Sequence, residues 1–120
     1  MLNLNSVMIG TMQSGILAAF YEKVLGKPAD MVDLDNGFWG WQVGNVFFGI
    51  LTHSEMGGKT KDAGRIMLNF ETPQVKEEFE RIKAIGATVI KEPYAMGEGG
   101  GAIATLADPD GNLFQLMNPM

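Results

Sequence analysis

Ala107-Asp108-Pro109-Asp110-Gly111-Asn112-Leu113-Phe114-Gln115-Leu116 is the stretch whose reading decides the fold. Asp-Pro-Asp-Gly is a tight turn with a mechanism. Pro109 presets φ, Asp108 and Asp110 can bond the local backbone, and Gly111 takes the φ > 0 position. The apolar run 101–107 enters the turn and the alternating run 113–117 leaves it, which predicts a β-hairpin. Alternation sends Leu113, Gln115 and Met117 to one face and Phe114 and Leu116 to the other. Gln115 is the polar side chain on a face otherwise lined by Leu and Met.

Working outward, the 120 residues suit one compact domain, with a hydrophobic fraction of 46% and a charged fraction of 19%. A net charge of −5 argues against a general nucleic-acid binder, because phosphate binding needs a basic face. No apolar run approaches a membrane span, and the first residues carry neither the basic region nor the cleavage site of a signal peptide. The absence of cysteine removes disulfides, thiol chemistry and Cys-ligated metal. A cytoplasmic protein is the simplest expectation. Nine Met residues suit adaptable apolar pockets.

In chain order, residues 4–10 alternate weakly and predict a strand. Leu17, Phe20, Tyr21 and Val24 then fall at i, i+3, i+4 and i+7, an amphipathic helix closed by Gly26. Short strands are expected over 31–34, 38–43 and 46–52, with turn signals at Asp35-Asn36-Gly37 and Gly44-Asn45. Residues 53–64 are polar and rich in Gly and Lys, and predict a loop between two halves. The second half repeats the order. A strand spans 65–70, with Arg65, Met67 and Asn69 on one face. Thr72-Pro73 opens a helix with Thr as N-cap, Val75, Phe79 and Ile82 mark its buried face, and Gly86 closes it. A strand over 88–91, a Gly-rich loop over 94–101 and the hairpin complete it. Met8 to Met67 and Phe20 to Phe79 are each 59 positions, and Gly26 to Gly86 is 60. Such a period suggests internal duplication. The domain then divides into a first module of about 1–55, the loop of about 53–64, and a second module of about 65–120.

This pattern resembles the vicinal oxygen chelate superfamily of glyoxalase I, bleomycin-resistance proteins and extradiol dioxygenases. The matching residues are Ala19-Phe20-Tyr21-Glu22-Lys23-Val24-Leu25-Gly26 after the first strand and Asp108-Pro109-Asp110-Gly111-Asn112 before the last. The resemblance implies an α+β fold of two βαβββ modules, whose curved mixed sheets surround a concave cavity. It also implies a homodimer. In metal-dependent members, four inward His or Glu side chains, from the first and last strands of each module, bind a divalent ion. Carried over, those places hold Ser6, Gly49, Arg65 and Gln115. Glycine offers no ligand, Arg offers only donors, and Gln is a weak neutral one, so no metal cofactor is expected.

His53, the one histidine, could act as a general base or lone ligand near Glu55, or be an ordinary loop histidine. Arg65, read as inward, could clamp a carboxylate, phosphate or enolate, or pair internally. Asn69 and Gln115 could orient a ligand or pair with each other. Met8, Met67, Met117, Trp39, Trp41, Phe48 and Tyr94 could line an aromatic and apolar pocket, with the Trp face of its strand turned to the cavity. Tyr94 and the loop Gly97-Glu98-Gly99-Gly100-Gly101 could form a lid or a plain surface excursion. Gly57-Gly58-Lys59-Thr60 lacks the earlier glycine of a phosphate loop, His53 standing in its place. The expected function is metal-independent binding of a small molecule, apolar or aromatic and with Arg65 allowing an anionic one. The alternative is a glyoxalase-like lyase or a dioxygenase with an unconventional metal site, in which His53 and Arg65 would be catalytic.

Overall fold

The computed structural model describes residues 1–95, 97 and 101–119. It divides into two compact units, residues 1–58 and 59–120. The first runs β1 (Ser6–Thr11), α1 (Ser14–Leu25), β2 (Met31–Asp33), β3 (Phe38–Val43) and β4 (Val46–Thr52). The second runs β5 (Leu68–Glu71), α2 (Val75–Ile85), β6 (Thr88–Ala95), β7 (Ala102–Ala107) and β8 (Leu113–Met117). The sheet orders correspond: β1-β4-β3-β2 and β5-β8-β7-β6. In each, the opening strand pairs in parallel with the closing one, and the other pairings are antiparallel. This is the expected α+β arrangement of two βαβββ modules, with four-stranded sheets that are not closed.

The helices also start alike. Thr11 Oγ1 accepts the Gln13 N–H at 3.1 Å, and Thr72 Oγ1 accepts the Gln74 N–H at 3.1 Å. Each glutamine is the residue before its helix. Thr72, expected to cap the second helix, therefore stands two residues before the cap, which is Gln74. It closes a small turn that aims the chain into the helix. Gly26 and Gly86 both end their helices in the left-handed region.

Each sheet buries one face under its helix. In the first unit Phe48, Ile50 and Trp41 pack with Leu17, Phe20, Tyr21 and Val24. The Tyr21 and Phe48 rings meet edge-on at 4.9 Å. In the second unit Phe114, Leu116, Ala104 and Leu106 are buried, as are Val75, Phe79 and Ile82 of α2. Fully burying side chains of the Leu or Phe class contributes roughly 1.5–3 kcal/mol apiece, so these faces carry much of the stability.

The opposite face of the first sheet has a different packing device. Gly40 and Gly49 are cross-strand partners, and Met8 pairs with Gly49 on the other side. The absent side chains let two rings lie on the sheet. Phe47 covers Gly40, and Phe38 covers Gly49, where an added Cβ would sit 3.2 Å from the ring and 3.4 Å from Met8 Cε. The two rings are parallel within 15° at 6.3 Å.

A polar clamp joins β3 to the segment after α1. Asp30 donates its N–H to Gly40 O at 2.8 Å and accepts from the Gln42 N–H at 2.7 Å. Lys27 Nζ bonds both Asp30 Oδ2 and Gln42 O, and Trp41 Nε1 donates to Lys27 O at 3.0 Å. The Gln42 N–H, with help from Lys27, holds the Asp30 carboxyl below its ordinary value of 3.8.

The hairpin forms as the turn chemistry requires. Asp108, buried, accepts the N–H groups of Asp110 and Asn112 and the Asn112 side-chain amide, at 2.9–3.0 Å. Gly111 has φ 82° and donates its N–H to Asp108 O. The turn also receives the incoming chain, because Thr60 N–H donates to Asp110 O at 2.9 Å.

Three outcomes test this account. Asp108→Ala strands three donors in the turn and should cost about 2–3 kcal/mol in urea unfolding; a loss under about 0.5 kcal/mol contradicts it. Gly40→Ala drives a methyl into the Phe47 ring and should destabilise by about 1–3 kcal/mol, with changed near-ultraviolet circular dichroism. The lowered Asp30 pKa means its contribution is present above the unfolded carboxylate value and lost as pH falls through the folded one. Asp30→Asn should therefore lower stability at neutral pH and flatten its decline in acid; parallel curves for the two proteins would refute the clamp.

Candidate functional site

The faces not covered by helices hold most of the side chains singled out from the sequence, and each unit presents its own. On the second sheet, register builds a transverse row. Asn69 on β5 pairs with Gln115 on β8, Gln115 with Thr105 on β7, and Thr105 with Lys91 on β6. With strands about 4.8 Å apart, the row spans roughly 14 Å of sheet from the Asn69 backbone to that of Lys91. Gln115 Nε2 donates to Thr105 Oγ1 at 3.0 Å, a bond that fixes the carboxamide plane. Asn69 is exposed and has no side-chain hydrogen bond among the described residues, so its amide is available. The pairing of Asn69 with Gln115, one of the two expectations, is replaced by Gln115 with Thr105. The next row is Glu71, Met117, Ile103 and Tyr94. Lys91 Nζ lies 5.3 Å from the Tyr94 ring centre, within cation–π reach.

Arg65 does not belong to this row. It was expected to point inward from a strand over 65–70, but β5 begins at Leu68. The cause is its partner. Leu68 pairs with Phe114, so counting back sets Met67 beside Leu113 and Arg65 beside Gly111, inside the turn. A strand cannot extend where its neighbour has stopped. Arg65 N–H instead donates to Asp62 O at 3.0 Å, and its guanidinium, 78% exposed, stands 4.0 Å from the Asp62 carboxylate. Met67 is partly exposed just before β5. The row mate of Gln115 is Asn69.

The Gly-rich stretch 94–101 predicts a loop at Tyr94, but the residue is in a strand. It lies within β6, opposite Ile103, because two register shifts carry that strand past Lys91 to Ala95. Glu98, Gly99 and Gly100 of the expected lid lie outside the described residues.

On the first sheet, Ser6, Met8 and Gly10 share a face with Phe47, Gly49, Gly40 and Phe38. Ser6 is exposed beside Phe47, and Gly49 is roofed by the Phe38 ring and the Met8 methyl. His53 follows β4 at the end of this face, where an added Cβ on Gly10 would meet its Cβ at 3.4 Å. Its N–H donates to Thr11 O, and its Nδ1 accepts the Glu55 N–H at 3.2 Å. That places His53 in an exposed turn, with a backbone donor on one ring nitrogen.

Trp39 and Trp41 are not on this face, contrary to expectation. Because Gly40 is paired with Gly49, its neighbours in β3 must point to the opposite, helix-covered side. Trp41 is 1% exposed in that core. Trp39, half-buried, borders a cleft of about 240 Å³ against Gly15, Ala18 and Ala19 of α1 and Pro28 and Ala29 beyond it.

The four places that the family's metal ligands would occupy thus hold a hydroxyl, a glycine under an aromatic ring, an exposed arginine before its strand, and a carboxamide. The register offers Met8 and Asn69 as nearer row mates. Thioether and carboxamide do not form the His and carboxylate set that a catalytic divalent ion takes. Among the described residues no three His, Asp or Glu side chains gather to hold an ion.

Sequence reasoning missed Thr105, Lys91 and the Phe38–Phe47 pair. Thr105 was within reach: a hairpin pairing Ala107 with Leu113 must pair Thr105 with Gln115. Lys91 was not, since bulges break the count.

The comparisons agree with this geometry. A glyoxalase-like domain model matches residues 6–117. Among curated proteins none matches the chain significantly. A glyoxalase/bleomycin resistance protein/dioxygenase family enzyme from Burkholderia phytofirmans PsJN is 27% identical, with a TM-score of 0.76 over 99% of this chain and 100% of that one. A glyoxalase-related enzyme from Fulvimarina pelagi, 17% identical, has a TM-score of 0.80 over 99% of this chain and 89% of that one. A fosfomycin resistance protein variant from Listeria monocytogenes, solved with Mn(II) and a dihydroxypropylphosphonic acid, is 18% identical, with a TM-score of 0.75 over 100% and 92%. At these last two identities the likeness speaks for the fold alone. With a family model spanning almost its whole length, the chain belongs to the glyoxalase-like domain family of the vicinal oxygen chelate superfamily.

Proposed function

We propose that this chain is a cytoplasmic, homodimeric binding protein for an apolar or aromatic small molecule, working without a metal. The observation that carries the reading is the treatment of Gly49. Where the family resemblance calls for a ligand, the Phe38 ring and Met8 methyl close over a bare backbone. The parallel Phe38 and Phe47 rings and the exposed Met8 form an apolar platform that suits a flat ligand. On the other unit, the fixed Gln115 carboxamide, the free Asn69 amide and the Lys91 ammonium supply hydrogen bonds and a positive charge, which suits an anionic group on a ligand. The dimer is supported by the free β2 edge, where Met31 and Val32 are exposed. The lyase reading would need Arg65 and His53 as catalytic groups, and Arg65 lies in an exposed turn.

Metal analysis of the purified protein tests this first, together with thermal melts over Mn²⁺, Ni²⁺, Zn²⁺ and Fe²⁺ and over a panel of aromatic acids and neutral aromatics. No stoichiometric metal, no metal-dependent shift, and a rise in Tm with an aromatic compound are expected. Saturation at a hundredfold excess over Kd corresponds to about 2.7 kcal/mol. Phe38→Ala should reduce the rise given by neutral aromatics, and Gln115→Ala the rise given by aromatic acids. A bound metal, with turnover of a hemithioacetal that Gln115→Ala abolishes, would replace this reading with the enzymatic one.

A further inference from the structure

The cleft between α1 and β3 lies on the helix-covered side of the first sheet, opposite the face that carries Phe38 and Phe47. Its aromatic wall is Trp39, half-buried and open to the cleft, backed by the fully buried Trp41. The facing wall is α1, which presents the small residues Gly15, Ala18 and Ala19 there, with Glu22 as its polar member. A Cβ added at Gly15 would meet no atom within 4 Å. Gly15 stands in the first turn of α1, and its missing side chain leaves this end of the cleft open. The acidic group in the lining is Glu22, whose carboxylate is exposed and makes no ion pair among the described residues. The nearby Lys27 ammonium is already held by Asp30 and the Gln42 carbonyl. It therefore does not neutralise Glu22.

An indole face, methyl-bearing walls and one unpaired carboxylate attract a compact organic cation. The ring face draws the charge, the alanines accept its alkyl shell, and the carboxylate balances it at the rim. Anions are repelled by Glu22, and a strongly hydrated metal ion finds too few oxygen donors. We propose that the α1–β3 cleft is a second binding site, for a small alkylammonium such as a trimethylammonium group, with Trp39 and Glu22 as its recognition residues. The volume of about 240 Å³ accommodates such a group. The clamp of Lys27, Asp30 and Gln42 holds Pro28 and Ala29 in place as part of the cleft wall.

The test uses the full chain and its own fluorescence. Trp39 and Trp41 are its two tryptophans, and both line the cleft. Choline and tetramethylammonium chloride should change the emission saturably, with Kd on the order of 1 mM, where equal sodium chloride does not. The uncharged carbon isostere of choline, dimethylbutanol, should bind about tenfold more weakly, and Glu22→Gln should lose a similar factor for the cations. Gly15→Leu, which places a side chain in open space at the cleft, should abolish the response while leaving Tm equal or higher. A response no different from sodium chloride overturns the proposal. So does equal binding of the uncharged isostere, or a response that persists unchanged in Gly15→Leu.

Discussion

The buried Asp108 carboxylate fixes where β8 begins. Its three accepted hydrogen bonds close the Asp-Pro-Asp-Gly turn. The turn sets the hairpin register, Ala107 to Leu113 and Thr105 to Gln115. Because β5 is parallel to β8 and has no other partner in the sheet, the same turn also sets where β5 can start. One carboxylate thereby decides that Asn69, rather than Arg65, stands beside Gln115. The chemistry on that face follows: a row of neutral hydrogen-bonding groups ending in Lys91, with no inward guanidinium.

The first unit reaches a different surface with the same topology. Its parallel pair, β1 with β4, places Met8 against Gly49, and β3 places Gly40 beyond. Two adjacent glycines at the centre of a sheet would normally weaken it, since they offer no side chain to pack. Here the Phe38 and Phe47 rings cover them and supply that packing from neighbouring positions. The two modules thus differ in surface chemistry, one face bearing stacked aromatic rings and a thioether, the other a row of hydrogen-bonding groups, while both have threonine entry turns and glycine exits for their helices.

Helix-covered and open faces divide the aromatic residues in a way that composition cannot show. Trp41 spends its indole on the core and donates its N–H to Lys27 O. Trp39 is its neighbour on the same side and borders a cleft where α1 is built from glycine and alanine. A tryptophan-bearing strand looks like the lining of a ligand cavity. The pairing of Gly40 with Gly49 turns those tryptophans the other way.

By itself, the sequence determined the elements whose information is local. Leu17, Phe20, Tyr21 and Val24 mark one helix and Val75, Phe79 and Ile82 the other, because a helix face repeats within a few residues. Asp108 to Asn112 specify a turn, and hence a hairpin, because turn geometry is set by adjacent residues. The nearly constant offset of about 60 positions gave the doubled module. Only the tertiary structure decided which alternating run becomes strand and which face it shows. Alternation over 65–70 was real, but counting back from Leu68 and Phe114 sets Arg65 and Ile66 against the turn and Met67 against the first residue of β8, so the strand begins only at Leu68. Phe38 to Val43 carried aromatics on both parities, and only pairing with β4 told them apart. Strand extent and facing are properties of the partner, which lies distant in sequence, and no local pattern encodes them.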